Sequence, residues 1–242
     1  MTQAQYDEIA EWYDEQVRTT LGPFHALAIG ALLDLAGDVR GLEVCDLACG
    51  QGILSRELAR RGANVAGVDI SERLLTLARQ HGDAATAAIT YRHDDAQSLT
   101  TLPDASFDLV TCNLALMDIP DLPAVCAAVR RVLRPGGAFV FSITHPCTLS
   151  PSSKWTTEAE GGPGSHVRGY FEEGYAVPPH APGVRGRVGT HHRTLATYLN
   201  TLTDTGLQLH RLAEPRASGD AAERQPAAVE VPAFLVARCV AS

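Results

Sequence analysis

The chain lacks the features that mark several large protein classes. Its 242 residues hold no run of about 18 uninterrupted apolar residues, so no membrane-spanning helix is expected. The six cysteines stand at 45, 49, 112, 126, 147 and 239 with no Cys-x-x-Cys pair, which argues against a zinc site or a disulfide framework. Cys45, Cys112 and Cys239 lie inside apolar runs, where a thiol behaves as a small buried hydrophobe. No run of Lys and Arg occurs, and 20 basic against 28 acidic residues leave a net charge of −8, a poor match to nucleic acid or to an anionic membrane. The opening stretch MTQAQYDEIAEWYDEQ is acidic and amphipathic, unlike the basic-then-apolar layout of a secretory signal. A cytoplasmic protein with no nucleic-acid or membrane partner is expected. What is present is ordinary for a globular fold: 45% apolar and 20% charged residues, in a chain long enough to bury roughly 70% of its unfolded surface.

Apolar runs of strand length alternate with helical patterns, the rhythm of βαβ units and a parallel sheet. Residues 3–18 and 23–37 read as two helices, with Pro23 at a first turn. Strands are expected at 42–47 (LEVCDL), 64–70 (NVAGVDI), 89–95 (ITYRHDD), 107–116 (FDLVTCNLAL), 138–145 (AFVFSITH), 208–215 and 233–240. Helices are expected at 53–62, 71–82, 121–133 and 194–207, with Ser71 and Thr194 as N-caps. Turns fall at 48–52 and 134–137, and a polar loop at 216–228. Between 146 and 190 the rhythm breaks. That segment is dense in Gly and Pro yet carries Trp155, Tyr170, Phe171 and Tyr175 in a chain only 6% aromatic. Those rings either pack the segment onto the body or line a pocket beneath a lid.

The chemistry-bearing string is CDLACGQG, 45–52. A strand ending in Asp46 turns through Gly50 and Gly52 into a helix, and glycine there lets a ligand lie against bare backbone. The next strand ends at Asp69, placed to accept both hydroxyls of a ribose. The residues therefore describe a nucleoside-containing cofactor across the carboxyl ends of strands. A dinucleotide fingerprint wants a third glycine where Ser55 stands, and Asp46 would repel a pyrophosphate. An ammonium or sulfonium would be welcome beside it.

These residues resemble the class I S-adenosylmethionine-dependent methyltransferases, in particular the small-molecule branch with two N-terminal helices. Asp46 to Gly52 is similar to the first motif, with Ala48 in place of its first glycine. Val68-Asp69-Ile70-Ser71 is similar to the second, Asp94-Asp95-Ala96 to the adenine site, and Phe107 to Val110 leading to Asn113-Leu114-Ala115 to the fourth. Leu133-Arg134-Pro135-Gly136-Gly137 resembles the turn before the fifth strand. The resemblance implies an α/β fold, a doubly wound Rossmann-like seven-stranded sheet whose last strand runs antiparallel. It implies S-adenosylmethionine as cofactor, S-adenosylhomocysteine as product, and a binding set of Tyr13, Asp46, Ala48, Cys49, Gly50, Gly52, Asp69, Ile70, Asp95, Ala96, Asn113 and Leu114. Within that set Asp95 would accept the adenine amine, and Tyr13 would contact the methionine moiety from a cap of N-terminal helices; alternatively Trp12 and Tyr13 only anchor their helix. Asn113-Leu114-Ala115-Leu116 lacks the Asn/Asp-Pro-Pro-aromatic string common in methyltransferases acting on amino groups of bases, a second argument against DNA and RNA. One methyltransferase domain is expected, with cap helices over 1–40, a cofactor-binding core over 41–145, a substrate lid over 146–190 and the rest of the core over 191–242, as a monomer or homodimer.

Methyl transfer from a sulfonium needs alignment and exclusion of water, and a base only where the nucleophile must lose a proton. Of nine histidines, His145 ends the fifth strand at the edge where ligands collect. It is the candidate base, or else an orienting or structural group. His191 and His192, with Trp155, Tyr170, Phe171 and Tyr175, are candidate acceptor contacts, or a capping and packing set. His25, His81, His93, His166, His180 and His210 read as ordinary helix, strand-end or loop residues. A metal-dependent reaction would want carboxylates gathered near Asn113; Asp118 and Asp121 are near in sequence, but Pro120 and Pro123 break that stretch, and no metal is expected. The expected reaction is methyl transfer to a nitrogen or oxygen of a small planar or aromatic metabolite. A nicotinamide-dependent oxidoreductase and a catalytically silent scaffold on the same fold stay open as alternatives.

Overall fold

The computed structural model describes residues 4–19, 22–177 and 183–242; His180 and the rest of 178–182, inside the expected lid, lie outside the described residues. Strands β1 (Glu43–Leu47), β2 (Asn64–Asp69), β3 (Thr90–His93), β4 (Phe107–Asn113) and β5 (Leu133–Thr144) pair in parallel. Helices α4 (Ile53–Arg60), α5 (Glu72–Gln80) and α6 (Leu122–Val132) make three of the crossovers. They follow the N-terminal helices α1 (Ala4–Asp7), α2 (Ala10–Thr19) and α3 (Gly22–Ala36). The short strands β6 (Lys154–Thr156), β7 (Gly164–His166), β8 (Gly174–Ala176) and β9 (Thr190–His192) come next, with α7 (Val184–Val188) before β9. Helix α8 (Leu195–Asp204), β10 (Leu207–Ala213), α9 (Gly219–Arg224), α10 (Ala227–Glu230) and β11 (Phe234–Ala241) complete the chain.

The central sheet has seven strands in the order β10-β11-β5-β4-β1-β2-β3, and β11 runs antiparallel to both neighbours. Strand alternation builds a core on each face. Phe139, Phe141 and Ile143 of β5 face α6 and α8, whereas Ala138 and Val140 face α3 and α4. The order steps outward from β1 toward β2 on one side and β4 on the other, so ligands are directed to the crevice at the carboxyl ends of β1 and β4.

Four stretches differ from the pattern read in the sequence. The helix expected over 3–18 breaks at Glu8 and Ile9 into α1 and α2. On an unbroken helix, rings seven residues apart start about 10 Å apart along the axis; the break brings Tyr6 and Tyr13 edge to face at 5.6 Å. The turn expected at 134–137 is the irregular start of β5, where the pairing with β4 shifts register and Gly136 takes φ +77°. The polar loop at 216–228 holds α9 and α10, whose Ala221, Ala227 and Ala228 are buried. Alanine among charges reads as polar but packs well against a neighbouring helix. Residues 146–190 carry two small hairpin ladders, β6–β7 and β8–β9, where no regular structure was expected.

One glycine is set by close approach. A Cβ on Gly67 of β2 would stand 2.7 Å from the Tyr91 ring and 3.1 Å from Cys49 Sγ. Gly67→Ala is expected to cost ~1–3 kcal/mol through overpacking, lowering the melting midpoint by several degrees at ~2–4 °C per kcal/mol. Thermal unfolding followed by circular dichroism checks this, and an unchanged midpoint would mean that Tyr91 does not cover β2.

Candidate functional site

The site begins where β1 stops. Ala48, Gly50 and Gly52 take φ of +51°, +55° and +79°, so the chain reverses through left-handed positions into α4. Ala48 holds that conformation at a cost of ~1–2 kcal/mol for an L-residue. The turn is pinned from β2: Cys49 N–H donates to Val68 O at 2.9 Å, and Gly50 N–H to Asp69 Oδ2 at 2.8 Å. Asp69 Oδ1 accepts Ser71 N–H at 2.8 Å. Ser71 caps α5, its hydroxyl accepting Leu74 N–H.

Two cavities meet at this turn. The larger is a cleft of about 790 Å³ counting its open mouth. It is lined by Tyr13, Ala48, Gly50, Asp69, Ile70, Asp95, Ala96, Asn113 and Leu114, with Tyr6, Gln97 and Asp118 completing its polar wall. The smaller is lined by Asp46, Cys49, Gln51 and His25 and shares Tyr13, Ala48, Gly50 and Asn113 with the cleft. They read as two halves of one elongated site. Gly50 presents bare backbone at their junction, for a Cβ there would meet only Tyr13, at 3.9 Å.

The electrostatics favour a cation. Asp46 is 1% exposed and accepts the Ser55 hydroxyl at 2.5 Å and the Thr111 hydroxyl at 3.0 Å. Burial pushes its pKa up to about 6, against the pull of those two hydroxyls. Burial likewise raises Asp69, against the N–H bonds from Ser71 and Gly50. Asp118 is pushed up to about 6 by burial, offset by the Arg185 charge and the Tyr6 hydroxyl. These three raised carboxylates line one site together with Asp94 and Asp95, and a positive ligand relieves all three. Gln51 Nε2 is a buried donor with no partner among the described residues, whereas its Oε1 accepts from Arg56 at 3.1 Å. A ligand carrying a carboxylate beside a cationic centre fits both features of the smaller cavity. His25 there is driven down to about 4 by burial, which keeps it uncharged.

Of the twelve sequence-derived cofactor residues, eleven line one or both cavities. Gly52 lines neither and acts as the N-cap position of α4. His145 stands away from both. Its Nε2 meets Glu214 Oε1 at 2.8 Å and its Nδ1 accepts Cys147 N–H at 3.3 Å, so both ring nitrogens are engaged. The six acceptor candidates lie outside the cleft as well. Trp155 packs against the apolar cluster that holds Phe234, Ala221 of α9 and Ala228 of α10. Tyr170 hydroxyl accepts Leu195 N–H at 3.0 Å, and His192 Nε2 meets Tyr170 O at 2.8 Å. Phe171 is 86% exposed, and Tyr175 packs on His191 with ring centroids 5.1 Å apart. His191 and His192 line a separate small cavity with Arg185, Arg193 and Tyr198. Sequence reasoning missed Tyr6, His25, Gln51 and Asp118. Gln51 sits inside the glycine string and was legible by position; the other three reach the site only through tertiary packing. Among the described residues no three His, Cys, Asp or Glu side chains gather as a metal site.

Sheet order, glycine turn and paired acids define a Rossmann-like α/β protein that binds a nucleoside cofactor. A family model described as a methyltransferase domain matches residues 45–141. The solved S-adenosylmethionine-dependent methyltransferase of Mesorhizobium loti is similar at 33% identity and TM-score 0.73, covering 88% of this chain and 95% of its own. A putative S-adenosylmethionine-dependent methyltransferase of Listeria monocytogenes is similar at 27% identity and TM-score 0.75, over 90% of this chain and 99% of its own. The ubiquinone biosynthesis O-methyltransferase of Bordetella avium is 36% identical over 136 residues, 55% of this chain and 56% of that protein. The chain thus spans little more than half the length of the curated relatives it matches. It belongs to the S-adenosylmethionine-dependent methyltransferases.

The raised Asp46 makes a linkage that can be measured. Its folded pKa of about 6 lies above the ordinary carboxylate value of about 4, so the stability tied to this group is complete below pH ~4 and is lost as pH rises through about 6. Without bound ligand, Asp46→Asn is expected to melt above the parent at pH 8, by an amount worth ~2–3 kcal/mol, with the difference vanishing near pH 4. Melting curves at both pH values test this; a variant less stable than the parent at pH 8 would contradict it.

Proposed function

We propose that the protein transfers the methyl group of S-adenosylmethionine to an oxygen or nitrogen of a small planar or aromatic acceptor. The observation that carries the reading is the two-part cavity at the glycine turn, with Asp69 and Asp95 in one half and Asp46 and the unpartnered Gln51 amide in the other. Asp69 would hold the ribose hydroxyls on the oxygen lone pairs left by Gly50 and Ser71. Asp95 and the Ala96 amide would take the adenine edge, and Gln51 Nε2 the carboxylate of the methionine moiety. Bound there, the cofactor supplies a methyl group already activated on a cationic sulfur. The curated relatives are named O-methyltransferases, which favours oxygen as the acceptor atom.

The protein's own work is then to hold, align and keep out water. Helices α1 and α2 close over the cleft through polar ties to α5. Ser71 hydroxyl donates to Asp7 at 2.5 Å, His81 meets Asp14 at 2.8 Å, and Arg73 pairs with Glu11. Arg187 of α7 stacks over the Trp12 ring at 4.2 Å, joining the 146–190 segment to the cap. That segment acts as the lid by meeting the cap, not by lining the cleft with its aromatic rings. Among the described residues no single helix is long and apolar enough to cross a membrane.

Calorimetry with S-adenosylmethionine, S-adenosylhomocysteine and NADH tests the reading. One-to-one micromolar binding of the sulfur ligands without NADH is expected, weakened ~10–100-fold by Asp69→Ala through loss of charged hydrogen bonds. Affinity for S-adenosylmethionine should also fall as pH drops below about 6, where the free Asp46 becomes protonated. Selective binding of NADH would move the chain to the oxidoreductases. No binding by folded protein would favour a silent scaffold.

A further inference from the structure

Beyond adding its charge to the cleft, one carboxylate there holds no part of the cofactor in the reading above. Asp118 ends a 3-10 turn, Leu116–Asp118, that follows β4, and it lines the large cleft beside Tyr6, Tyr13 and Ile119. Its Oδ2 accepts the Tyr6 hydroxyl at 2.8 Å, and its Oδ1 accepts no hydrogen bond among the described residues. The titratable groups facing it come from every side: Tyr6 of α1, Tyr13 of α2, Cys112 of β4, Arg185 of α7 and Tyr198 of α8. Arg185 is the cation among them. Its Nη2 donates to Thr144 Oγ1 at 2.6 Å, at the end of β5, and it makes no direct ion pair with Asp118. The guanidinium therefore acts on the carboxylate through space and leaves Oδ1 unengaged, on a side chain that lines the cleft.

A carboxylate held on one oxygen, unengaged on the other and lining the cofactor cleft is arranged to receive a proton. His145, the base the sequence suggested, has no free ring nitrogen and stands elsewhere. We propose that Asp118 Oδ1 takes the proton of the acceptor's phenolic hydroxyl during methyl transfer, with Tyr6 and Arg185 as positioning residues. The proposal rests on the methyltransferase reading and narrows the acceptor to a phenol, a nucleophile that must lose a proton. In the step, the acceptor O–H bond breaks and its proton goes to Oδ1. The oxygen electron pair forms the new bond to the methyl carbon. The methyl–sulfur bond breaks with its pair kept by sulfur, so the sulfonium becomes a neutral thioether and the carboxylate a neutral acid. Asp118 then returns its proton to water. Burial sets the group at about 6, ionised at neutral pH yet as basic as a carboxylate can be while staying so.

The test uses the full-length protein, Asp118→Asn, and two probes that differ in acidity, catechol and 4-nitrocatechol, at pH 8. S-adenosylhomocysteine should bind the variant within about two-fold of the parent by calorimetry. Catechol methylation should fall ~10²–10⁴-fold, the usual worth of a positioned base. 4-Nitrocatechol, already ionised at that pH, should lose less than about ten-fold, a rescue that a merely structural role would not produce. The parent's kcat/KM with catechol should rise through pH about 6 to a plateau. Tyr6→Phe should move that inflection upward, because the Tyr6 hydroxyl bond lowers the Asp118 pKa. Equal losses on both probes, no loss on either, or a parent that binds S-adenosylhomocysteine but methylates neither probe would overturn the assignment of Asp118 while leaving the cofactor site standing. A parent that binds no S-adenosylhomocysteine would remove the cofactor reading and this assignment with it.

Discussion

Two backbone N–H groups on one carboxylate hold the cofactor half of this protein together. Asp69 at the end of β2 accepts Gly50 from the turn after β1 and Ser71 from the start of α5. That single side chain fixes two crossover connections at the same point of the sheet edge. It also lines the cleft, so the group that organises the turn is the one proposed to meet the ribose. The strain at Ala48 belongs to the same arrangement. Its left-handed φ is tolerated because the hydrogen bonds from Cys49 and Gly50 to β2 outweigh it.

Burial of acids gives the site its sign. Asp46, Asp69 and Asp118 come from different strand ends, and each is lifted by loss of water. Ser55 and Thr111 hold Asp46 with neutral hydroxyls, which orient a carboxylate without cancelling its charge. The result is a site that is less comfortable empty than filled by a cation. The cap follows the same logic. Asp7, Glu11 and Asp14 face Ser71, Arg73 and His81 of the α5 region, so the helices over the cleft are tied by polar contacts, part-buried at Ser71–Asp7 and His81–Asp14 and exposed at Arg73–Glu11.

The cofactor half was legible because its chemistry is local. Asp46, Gly50 and Gly52 are neighbours in the chain, and Asp69 stands at the end of the next strand, so strand ends and glycine positions alone place them together. The seven strands were legible for a similar reason, since buried parallel strands show as short apolar runs. The departures share a cause too. Alanine-rich α9 and α10 hid in a stretch that reads as polar, and Leu133 to Gly137 reads as a turn because Pro and Gly mark turns even where a strand is only bulging.

The sequence by itself determined the fold class, the sheet and the glycine turn and acids that line the cleft, because glycine conformation, strand length and acid placement act over a few residues. The groups proposed for the acceptor end come together only in the tertiary structure. Tyr6 and Asp118 meet across 112 residues, and Arg185 reaches Thr144 across 41. The aromatic rings of 146–190, grouped in sequence, disperse in space: Trp155 packs beside α9 and α10, Tyr170 ties to α8 and Tyr175 to His191 of β9, while Phe171 stays exposed. Proton acceptors and packing rings are chosen by distance in space, and no spacing along the chain encodes that distance.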